Sequence, residues 1–339
     1  MTSRADAMHR FIQGAGWGAA TRASLAGDAS NRRYDRLNQP DGRHAVLMDA
    51  PPQKGEDVRP FVQIADYLCN IGLSAPQILA RDEENGFLLL EDLGDSLFAR
   101  VLNTQPDLEN RLYTGAVDVL LHLNQAPPPS LPEYDSATMG PLSALAFEWY
   151  LDALSGPNPT AKATFLSAFT DLLAPLDPHA KVLIQRDYHA ENLLWLPERQ
   201  GAAQVGLLDF QDAVLGHPAY DLVSVMQDAR RDLAPDTAPN MIRYFLDQSG
   251  HSAETFDTAY ALLGAQRNLR ILGVFARLCI RDGKAHYVDL IPRVWGHIQS
   301  NLSHPALAPI ATLVTDTLPP PTAENLDILR SKCATYPKP

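Results

Sequence analysis

The sequence predicts an α+β fold with two lobes, a small strand-rich N-terminal lobe (residues 1–93) and a larger, mostly helical C-terminal lobe (residues 94–339). Three observations predict this plan. The chain has 339 residues, which is long for a single small core. Short runs with strand character dominate up to residue 93. Beyond Gly94 the apolar residues recur at the three- and four-residue spacing of helices.

The small lobe is predicted to combine short strands with two helices. Its first segment has apolar residues at helical spacing, which indicates a short amphipathic helix and not a secretory signal. The strands are bounded by turn residues, and the second helix stops at Gly72. In chain order, the predicted elements are a helix through Met8, Phe11, Ile12 and Ala15, strands at 32–37 and 44–50, a helix at 58–72, and strands at 76–82 and 86–94.

The large lobe is predicted to be helical, with a few short strands in its middle. A Pro-rich segment at 126–141 predicts a loop, and a second Pro-rich stretch at 305–321 closes the helical region. A two-lobed plan creates a cleft, and clefts between lobes are favoured ligand sites. The predicted helices run through Leu108–Leu123, 143–154, 162–173 and 259–281, and the short apolar runs lie at 182–184, 193–195 and 205–210.

Composition and charge restrict the class of protein. The net charge of −12 argues against a nucleic-acid partner, because phosphate backbones bind basic surfaces. No apolar run reaches the roughly 18–20 residues that a membrane-spanning helix needs. Cys69, Cys279 and Cys333 are far apart and odd in number, which argues against a disulfide framework or a zinc site. We therefore expect a cytoplasmic protein, either a monomer or a weak dimer.

Two motifs carry the chemistry. Asp187 precedes Asn192 by five residues in "IQRDYHAENLLW", and Asp209 follows a hydrophobic run in "VGLLDF". Phosphoryl transfer requires bound nucleotide phosphates, one or two Mg²⁺ ions and an acceptor hydroxyl in line. Asp and Asn oxygens are ligands that Mg²⁺ accepts. Asp187 is then the candidate base, while Asn192 and Asp209 are the candidate metal ligands. The alternative is that each Asp at a strand end only caps a turn or helix.

These motifs resemble a known family. "QRDYHAENLLW" (185–195) followed by "GLLDFQDAVLGHPAYDLVSV" (206–225) is similar to the phosphotransferase family of aminoglycoside kinases, choline kinases and related small-molecule kinases. That family has a protein-kinase-like fold and carries H-G-D-x4-N, an Asp-aromatic pair and G-x4-D-L. This chain has Gln185 in place of the His. "GDASNRRYDRL" (27–37) and "FARLCIRDGKAHYVDLIPRV" (275–294) resemble more closely the anomeric sugar kinases that phosphorylate N-acetylmuramate and N-acetylglucosamine in cell-wall recycling.

The resemblance implies roles for residues around the predicted catalytic loop. Asp221 is expected to be structural, with its carboxylate bound to the loop's backbone. His189 is expected to be exposed to the cleft and to touch the γ-phosphate of ATP, the alternative being an ordinary polar contact. Gln185 has a donor and an acceptor, so it is expected to bridge the groups that the family's His links.

The resemblance also implies an ATP site in the small lobe. The main chain of Glu91 and Leu93, in "LLLEDLG", is expected to pair with the adenine edge; the alternative is a strand that ends in a Gly turn. Protein kinases grip the α- and β-phosphates with a Lys on the third strand, and Met48 stands at that position here.

Something else is therefore expected to contact the phosphates. Gly27 and Ser30 allow close backbone approach and a hydroxyl contact, while Arg32 or Arg33 brings positive charge. The alternative for the two arginines is a solvated strand edge.

The helix predicted at 259–281 bears on the acceptor. Arg267 and Arg270 share a face with two further arginines, away from an apolar stripe. One hypothesis is that they pair with the carboxylate of an acidic sugar such as muramate. The alternative is a solvated basic face.

Three functions remain open: an ATP-dependent kinase of an N-acetylated amino sugar at its anomeric hydroxyl, a kinase of another small alcohol such as an aminoglycoside or choline, and a nucleotide-binding pseudokinase. The first two require ATP, Mg²⁺ and a small-molecule acceptor.

Overall fold

The computed structural model describes residues 3–25, 31–179 and 181–336. It divides into two compact units, the first formed by residues 1–122 and 190–213 and the second by residues 123–189 and 214–339. The chain leaves the second unit between His189 and Ala190, within the predicted catalytic loop. This division by compactness does not coincide with the predicted boundary between residues 93 and 94, which concerns the nucleotide hinge and stays a prediction.

The first unit is built on an antiparallel sheet of five strands in the order β1-β2-β3-β5-β4. Four of these strands were predicted; the short, exposed β1 was not. A hairpin of β7 and β8 completes the unit, while β6 and β9 pair in the second unit. The described strands are β1 Thr21–Ser24, β2 Arg33–Asn38, β3 His44–Asp49, β4 Ile78–Asp82, β5 Phe87–Glu91, β6 Val182–Ile184, β7 Leu193–Trp195, β8 Val205–Leu207 and β9 Val214–Gly216.

Thirteen α-helices lie among the described residues, most of them in the second unit. A single π-helical turn, Ala146–Leu151, precedes the sixth. The helices are α1 Arg4–Gly14, α2 Arg59–Asn70, α3 Phe98–Thr104, α4 Glu109–Gln125, α5 Ser136–Ser143, α6 Asp152–Ser155, α7 Pro159–Leu173, α8 Ala219–Met226, α9 Thr237–Ser249, α10 Ala253–Ile280, α11 Ile291–Leu302, α12 Ala308–Thr317 and α13 Ala323–Ser331.

One face of the sheet is covered by α1. The side chains of Leu37, Ala45 and Leu47 alternate toward this face and pack with Trp17, and the apolar stripe of α1 packs against them. The helix begins with a capping box at Ser3, whose side chain accepts from the Asp6 N–H. The predicted amphipathic helix is confirmed. The opposite face carries Tyr34, Arg36, Val46 and Met48.

The second unit is organised around α10. The predicted apolar stripe of this helix is confirmed, since Leu262, Leu269, Leu272 and Cys279 are all buried. Gly273 lets the π-helical region come close, because a Cβ there would lie 2.2 Å from the carbonyl carbon of Leu145. This contact fixes the long helix against the rest of its unit.

Two Pro-rich segments differ from prediction. The loop expected at 126–141 contains most of α5, which starts because Asp135 caps it by accepting from the Thr138 N–H at 2.9 Å. The stretch at 305–321 contains α12, with its proline in the first turn, where a missing N–H costs nothing. No helix among the described residues is long and apolar enough to cross a membrane.

Candidate active site

The loop that carries Asp187 is held by a buried carboxylate. Asp221, in the first turn of α8, accepts from the backbone N–H of Gln185 at 2.6 Å and of Arg186 at 3.0 Å. Arg186 adopts a left-handed backbone conformation, with φ of 70°. This conformation is costly for a residue with a long side chain, so the surroundings must impose it. The Ser224 hydroxyl donates to the Arg186 carbonyl from the same helix. The structural role predicted for Asp221 is confirmed.

Burial dominates the electrostatics of Asp221. It raises the pKa of this carboxyl to about 7, and the negative charge of Asp187 acts in the same direction. The two backbone hydrogen bonds and the positive charge of Arg267 oppose the shift. The loop's anchor is therefore a group whose ionisation is finely balanced near neutral pH.

Gln185 does not make the bridge that was expected. Its side chain is 2% exposed, and its Nε2 has no hydrogen-bond partner among the described residues. Its backbone N–H donates to the carboxylate of Asp221. The prediction that the amide replaces the family's His as a link is wrong for the Nε2 donor.

His189 is buried and not exposed as expected, with 4% of its surface accessible. Burial lowers its pKa well below the usual value, and the positive charges of Arg230 and Arg267 lower it further. The imidazole is therefore neutral at physiological pH. The predicted γ-phosphate contact stays a prediction.

Arg267 lies inside the second unit. It is 2% exposed, so the solvated-face alternative is wrong for this residue. Its Nη1 donates to the Gln227 carbonyl at 3.4 Å. Burial lowers the pKa of its guanidinium, while Asp187 and Asp228 lie close enough for their charges to oppose that effect. Arg270, one turn further along α10, is also influenced by the charge of Asp187.

The first unit contains a cavity of about 390 Å³. It is lined by the sheet face of Val46 and Leu90, by the segment after β5, and by the predicted metal ligands Asn192 and Asp209. The structure therefore brings the predicted hinge and both predicted ligands to one cavity. All the described lining residues belong to the first unit.

The segment after β5 lines this cavity, and its main chain carries the groups predicted to bind adenine. The Glu91 N–H donates to the Gln77 carbonyl at 2.8 Å, and its carboxylate is paired with Arg199 at 2.5 Å. Because the N–H and the carboxylate of Glu91 already have these partners, its backbone carbonyl is the group that could accept a hydrogen bond from a ligand. The Leu93 N–H has no hydrogen-bond acceptor among the described residues. This carbonyl and this N–H are the acceptor and donor that an adenine edge requires.

The two predicted metal ligands are held by the backbone. Asp209 is left-handed, with φ of 56°, and its Oδ1 accepts from the Gln211 side chain at 2.7 Å. The Leu208 N–H donates to the Asn192 carbonyl at 3.0 Å. One carboxylate and one amide oxygen at the edge of an open cavity fit Mg²⁺, which keeps water and phosphate oxygens as its other ligands.

The predicted phosphate contacts have different outcomes. Gly27 and Ser30 lie outside the described residues. Arg32 forms an ion pair with Glu56 at 2.9 Å, and Arg33 is exposed. Neither arginine is among the described residues that line the cavity. Their phosphate roles stay predictions.

Met48, at the position of the kinase lysine, is buried in the core. Among the described residues that line the cavity, the cations are Arg36 and Arg100, and neither was predicted from the sequence. Alternate residues of a strand share a face, so Arg36 could have been predicted to lie on the same face of β2 as Tyr34.

The comparisons with known proteins place the chain in a family. Residues 21–259 match the model of the phosphotransferase enzyme family, and the chain belongs to that family. Among relatives, it is 39% identical to the N-acetylmuramate/N-acetylglucosamine kinase of Caulobacter vibrioides, over 91% of this chain and 94% of that protein. It is 35% identical to the protein of the same name in Pseudomonas putida, over 88% and 90% respectively.

Solved structures show the same fold. A choline kinase of Streptococcus pneumoniae superposes with a TM-score of 0.59 at 14% identity, covering 87% of this chain and 99% of the other. An aminoglycoside phosphotransferase bound to AMP-PNP and hygromycin B gives a TM-score of 0.58 at 13% identity, covering 88% and 99%. The predicted family and the two-lobed protein-kinase-like fold are confirmed.

Proposed function

We propose that this enzyme is an ATP- and Mg²⁺-dependent kinase that phosphorylates N-acetylmuramate and N-acetylglucosamine at the anomeric hydroxyl. The observation that carries the proposal is the anchoring of Asp187. Its loop is clamped by Asp221 in a strained conformation, and such strain is maintained where geometry serves function. Relatives named for these two sugars, matched over most of the chain, support the choice of acceptor.

In this proposal Asp187 orients the sugar hydroxyl and takes its proton as the oxygen attacks the γ-phosphorus, while the bond from that phosphorus to the β–γ bridging oxygen breaks and ADP leaves. The Glu91 carbonyl and the Leu93 N–H hold the adenine. Asn192 and Asp209 hold Mg²⁺, which neutralises the charge that develops on the phosphates when it is bound. Arg32 or Arg33, with Gly27 and Ser30, remains the proposed contact to the phosphates. The lobe boundary at residues 93 and 94 belongs to the same proposal.

The charge around Asp187 supports an acidic sugar. Arg267 and Arg270 act electrostatically on this carboxylate from α10, and Arg230 acts on the neighbouring His189. A polycationic aminoglycoside would be repelled by such a set, whereas the carboxylate of N-acetylmuramate would be attracted. A kinase of another small alcohol and a pseudokinase are the alternatives. His189 is proposed to touch the transferred phosphate as a neutral imidazole.

The surroundings of the reaction are part of the proposal. The net charge of −12 makes a nucleic-acid partner unfavourable. We propose a cytoplasmic enzyme that works with ATP and a small acceptor, as a monomer or weak dimer. Light scattering at micromolar concentration tests the oligomeric state.

The test is ADP release with N-acetylmuramate, N-acetylglucosamine, kanamycin and choline in parallel. We expect turnover on the two sugars, with a product that no longer reacts as a reducing sugar, because phosphorylation blocks the anomeric carbon. Asp187→Asn should lower kcat by about 10²- to 10⁴-fold and leave ATP binding intact. Turnover only on kanamycin or choline would refute the acceptor, nucleotide binding without any turnover would favour the pseudokinase, and full activity of Asp187→Asn would refute the role of the base.

A further inference from the structure

Arg36 is fixed inside the nucleotide cavity by two carboxylates. From β2 its Nε donates to Asp92 at 2.6 Å and its Nη1 to Asp95 at 2.7 Å. Nη2 donates to the remaining oxygen of each, at 3.0 and 3.1 Å. All three side chains line the cavity. The guanidinium is thus held by two bidentate pairs, an arrangement that fixes both its position and its plane.

The register of the sheet places Arg36 at the hinge end of the cavity. Arg36 lies opposite Val46, and Val46 lies opposite Leu90. Leu90 is followed directly by Glu91 and the hinge segment, whose main chain is proposed to hold the adenine. The row of Met48, where kinases place the phosphate-gripping lysine, lies two residues further from the hinge. Arg36 is therefore beside the expected base and not beside the expected phosphates.

The chemistry of the cluster agrees with this position. One guanidinium and two carboxylates carry a net charge of −1, which repels a triphosphate. Four of the five in-plane N–H groups are directed to Asp92 and Asp95, so the main surface that remains for a ligand is the flat face of the guanidinium. A flat cationic face packs well against an aromatic ring.

We propose that Arg36 is a nucleobase-binding residue whose guanidinium face packs on the adenine ring, and that Asp92 and Asp95 are positioning residues that hold it there. The assignment rests on the proposed function, since it takes the cavity to be the ATP site. It identifies a contact that recognises the base of the nucleotide independently of the phosphates.

The test compares the binding of adenosine and ATP by calorimetry. In Arg36→Ala we expect both dissociation constants to rise by a common factor of about 3 to 30, because the lost contact is to the base. Arg36→Lys keeps the charge but loses the planar fork, and should be impaired nearly as much. KM for ATP should rise with kcat unchanged. In Asp95→Asn both dissociation constants should rise by a smaller factor than in Arg36→Ala. In Asp95→Glu, which keeps the carboxylate, they should rise less than in Asp95→Asn.

The matched control is Arg22→Gln. Arg22 also ties two strands of this sheet, through Asp35 at 3.4 Å, but it does not line the cavity. We expect this variant to bind both ligands normally. If Arg36→Ala weakened the binding of ATP but left the binding of adenosine unchanged, Arg36 would be a phosphate contact and the inference would be overturned. Unchanged binding of both ligands, with a lower Tm only, would reduce Arg36 to a structural tie and overturn it as well. A wild-type protein that binds no nucleotide would instead refute the proposed function.

Discussion

Replacing Asp221 by Asn should separate the positioning of the catalytic loop from the stability of the fold. The carboxylate is 1% exposed and accepts from two backbone N–H groups, at 2.6 and 3.0 Å. Asn has one acceptor oxygen, so one of these N–H groups would face an NH₂ group. Losing a charged hydrogen bond costs about 1.5–3 kcal/mol, and leaving a buried N–H unpaired costs about 1–3 kcal/mol more.

A second effect offsets this cost. Burial raises the pKa of Asp221 to about 7 even though the two backbone hydrogen bonds lower it, so its charged form carries a desolvation penalty that exceeds what these bonds return. Asn carries no charge and avoids that penalty. The two effects have opposite signs, so we expect the free energy of unfolding to change by no more than about 2 kcal/mol.

Catalysis should respond much more strongly. The carboxylate of Asp221 accepts from the Arg186 N–H in its left-handed conformation, so without this carboxylate the loop should relax and carry Asp187 with it. A displacement of about 1 Å at the reacting group costs on the order of 10²-fold in rate. We therefore expect kcat for N-acetylglucosamine to fall about 10²-fold while ATP binding stays unchanged.

The assay measures kcat, KM and the thermal unfolding of Asp221→Asn beside Asp177→Asn. Asp177 is a matched control in the same unit, because it accepts from the Ser136 N–H at 2.9 Å and from its hydroxyl at 2.6 Å, away from the loop. A normal kcat in Asp221→Asn, or an equal loss of kcat in the control, would show that the clamp does not position Asp187.

Three further predictions concern the metal, the acceptor and pH. Asp209→Asn should weaken Mg²⁺-dependent ATP binding about 10- to 100-fold, and calorimetry with and without Mg²⁺ checks this. Arg270→Gln should raise KM for N-acetylmuramate about tenfold and leave KM for N-acetylglucosamine nearly unchanged, which steady-state kinetics on both sugars would contradict if the two rose together. Burial, with the charges of His179 and His251, lowers the pKa of His217 to about 4. As pH falls from 6.5 to 4, His217 is protonated in the unfolded chain before it is protonated in the folded protein, so up to about 3 kcal/mol of stability is lost in that window. Between these pH values, the Tm of His217→Asn should therefore fall less steeply than the Tm of the wild type.

Local sequence patterns were sufficient to predict most of the strands of the first unit. The apolar run "HAVLMDA", which follows a turn, predicted β3, and in the structure Ala45 and Leu47 pack on the face covered by α1 while Val46 lies on the other face. The strand of Thr21–Ser24 escaped prediction because all four residues are exposed, so no apolar alternation marks it. Its pairing with β2 is made by backbone hydrogen bonds, which leave little trace in the sequence.

The second unit shows a different limit. Helical periodicity correctly placed Arg267 on a face apart from the apolar stripe of α10, but it could not say what that face contacts. The contacts come from Gln227, which is 40 residues away, and from charges on Asp187 and Asp228. Solvation was the reasonable expectation for an arginine without such partners. The burial of Arg267 is a tertiary effect and could be predicted only from the fold.

Met48 stands where protein kinases have their phosphate-binding lysine, and the structure limits which residues could replace that lysine. Among the described residues that line the cavity, the cations are Arg36 and Arg100. Arg36 is neutralised by Asp92 and Asp95, and Arg100 lies near the charge of Asp95. The two bidentate pairs make Arg36 a poor candidate for the phosphates. We propose that the metal ion and the residues predicted from the sequence, Gly27 and Ser30 with Arg32 or Arg33, bind the phosphates. Loss of the lysine is compatible with turnover because a metal and backbone N–H groups can carry the same charge stabilisation.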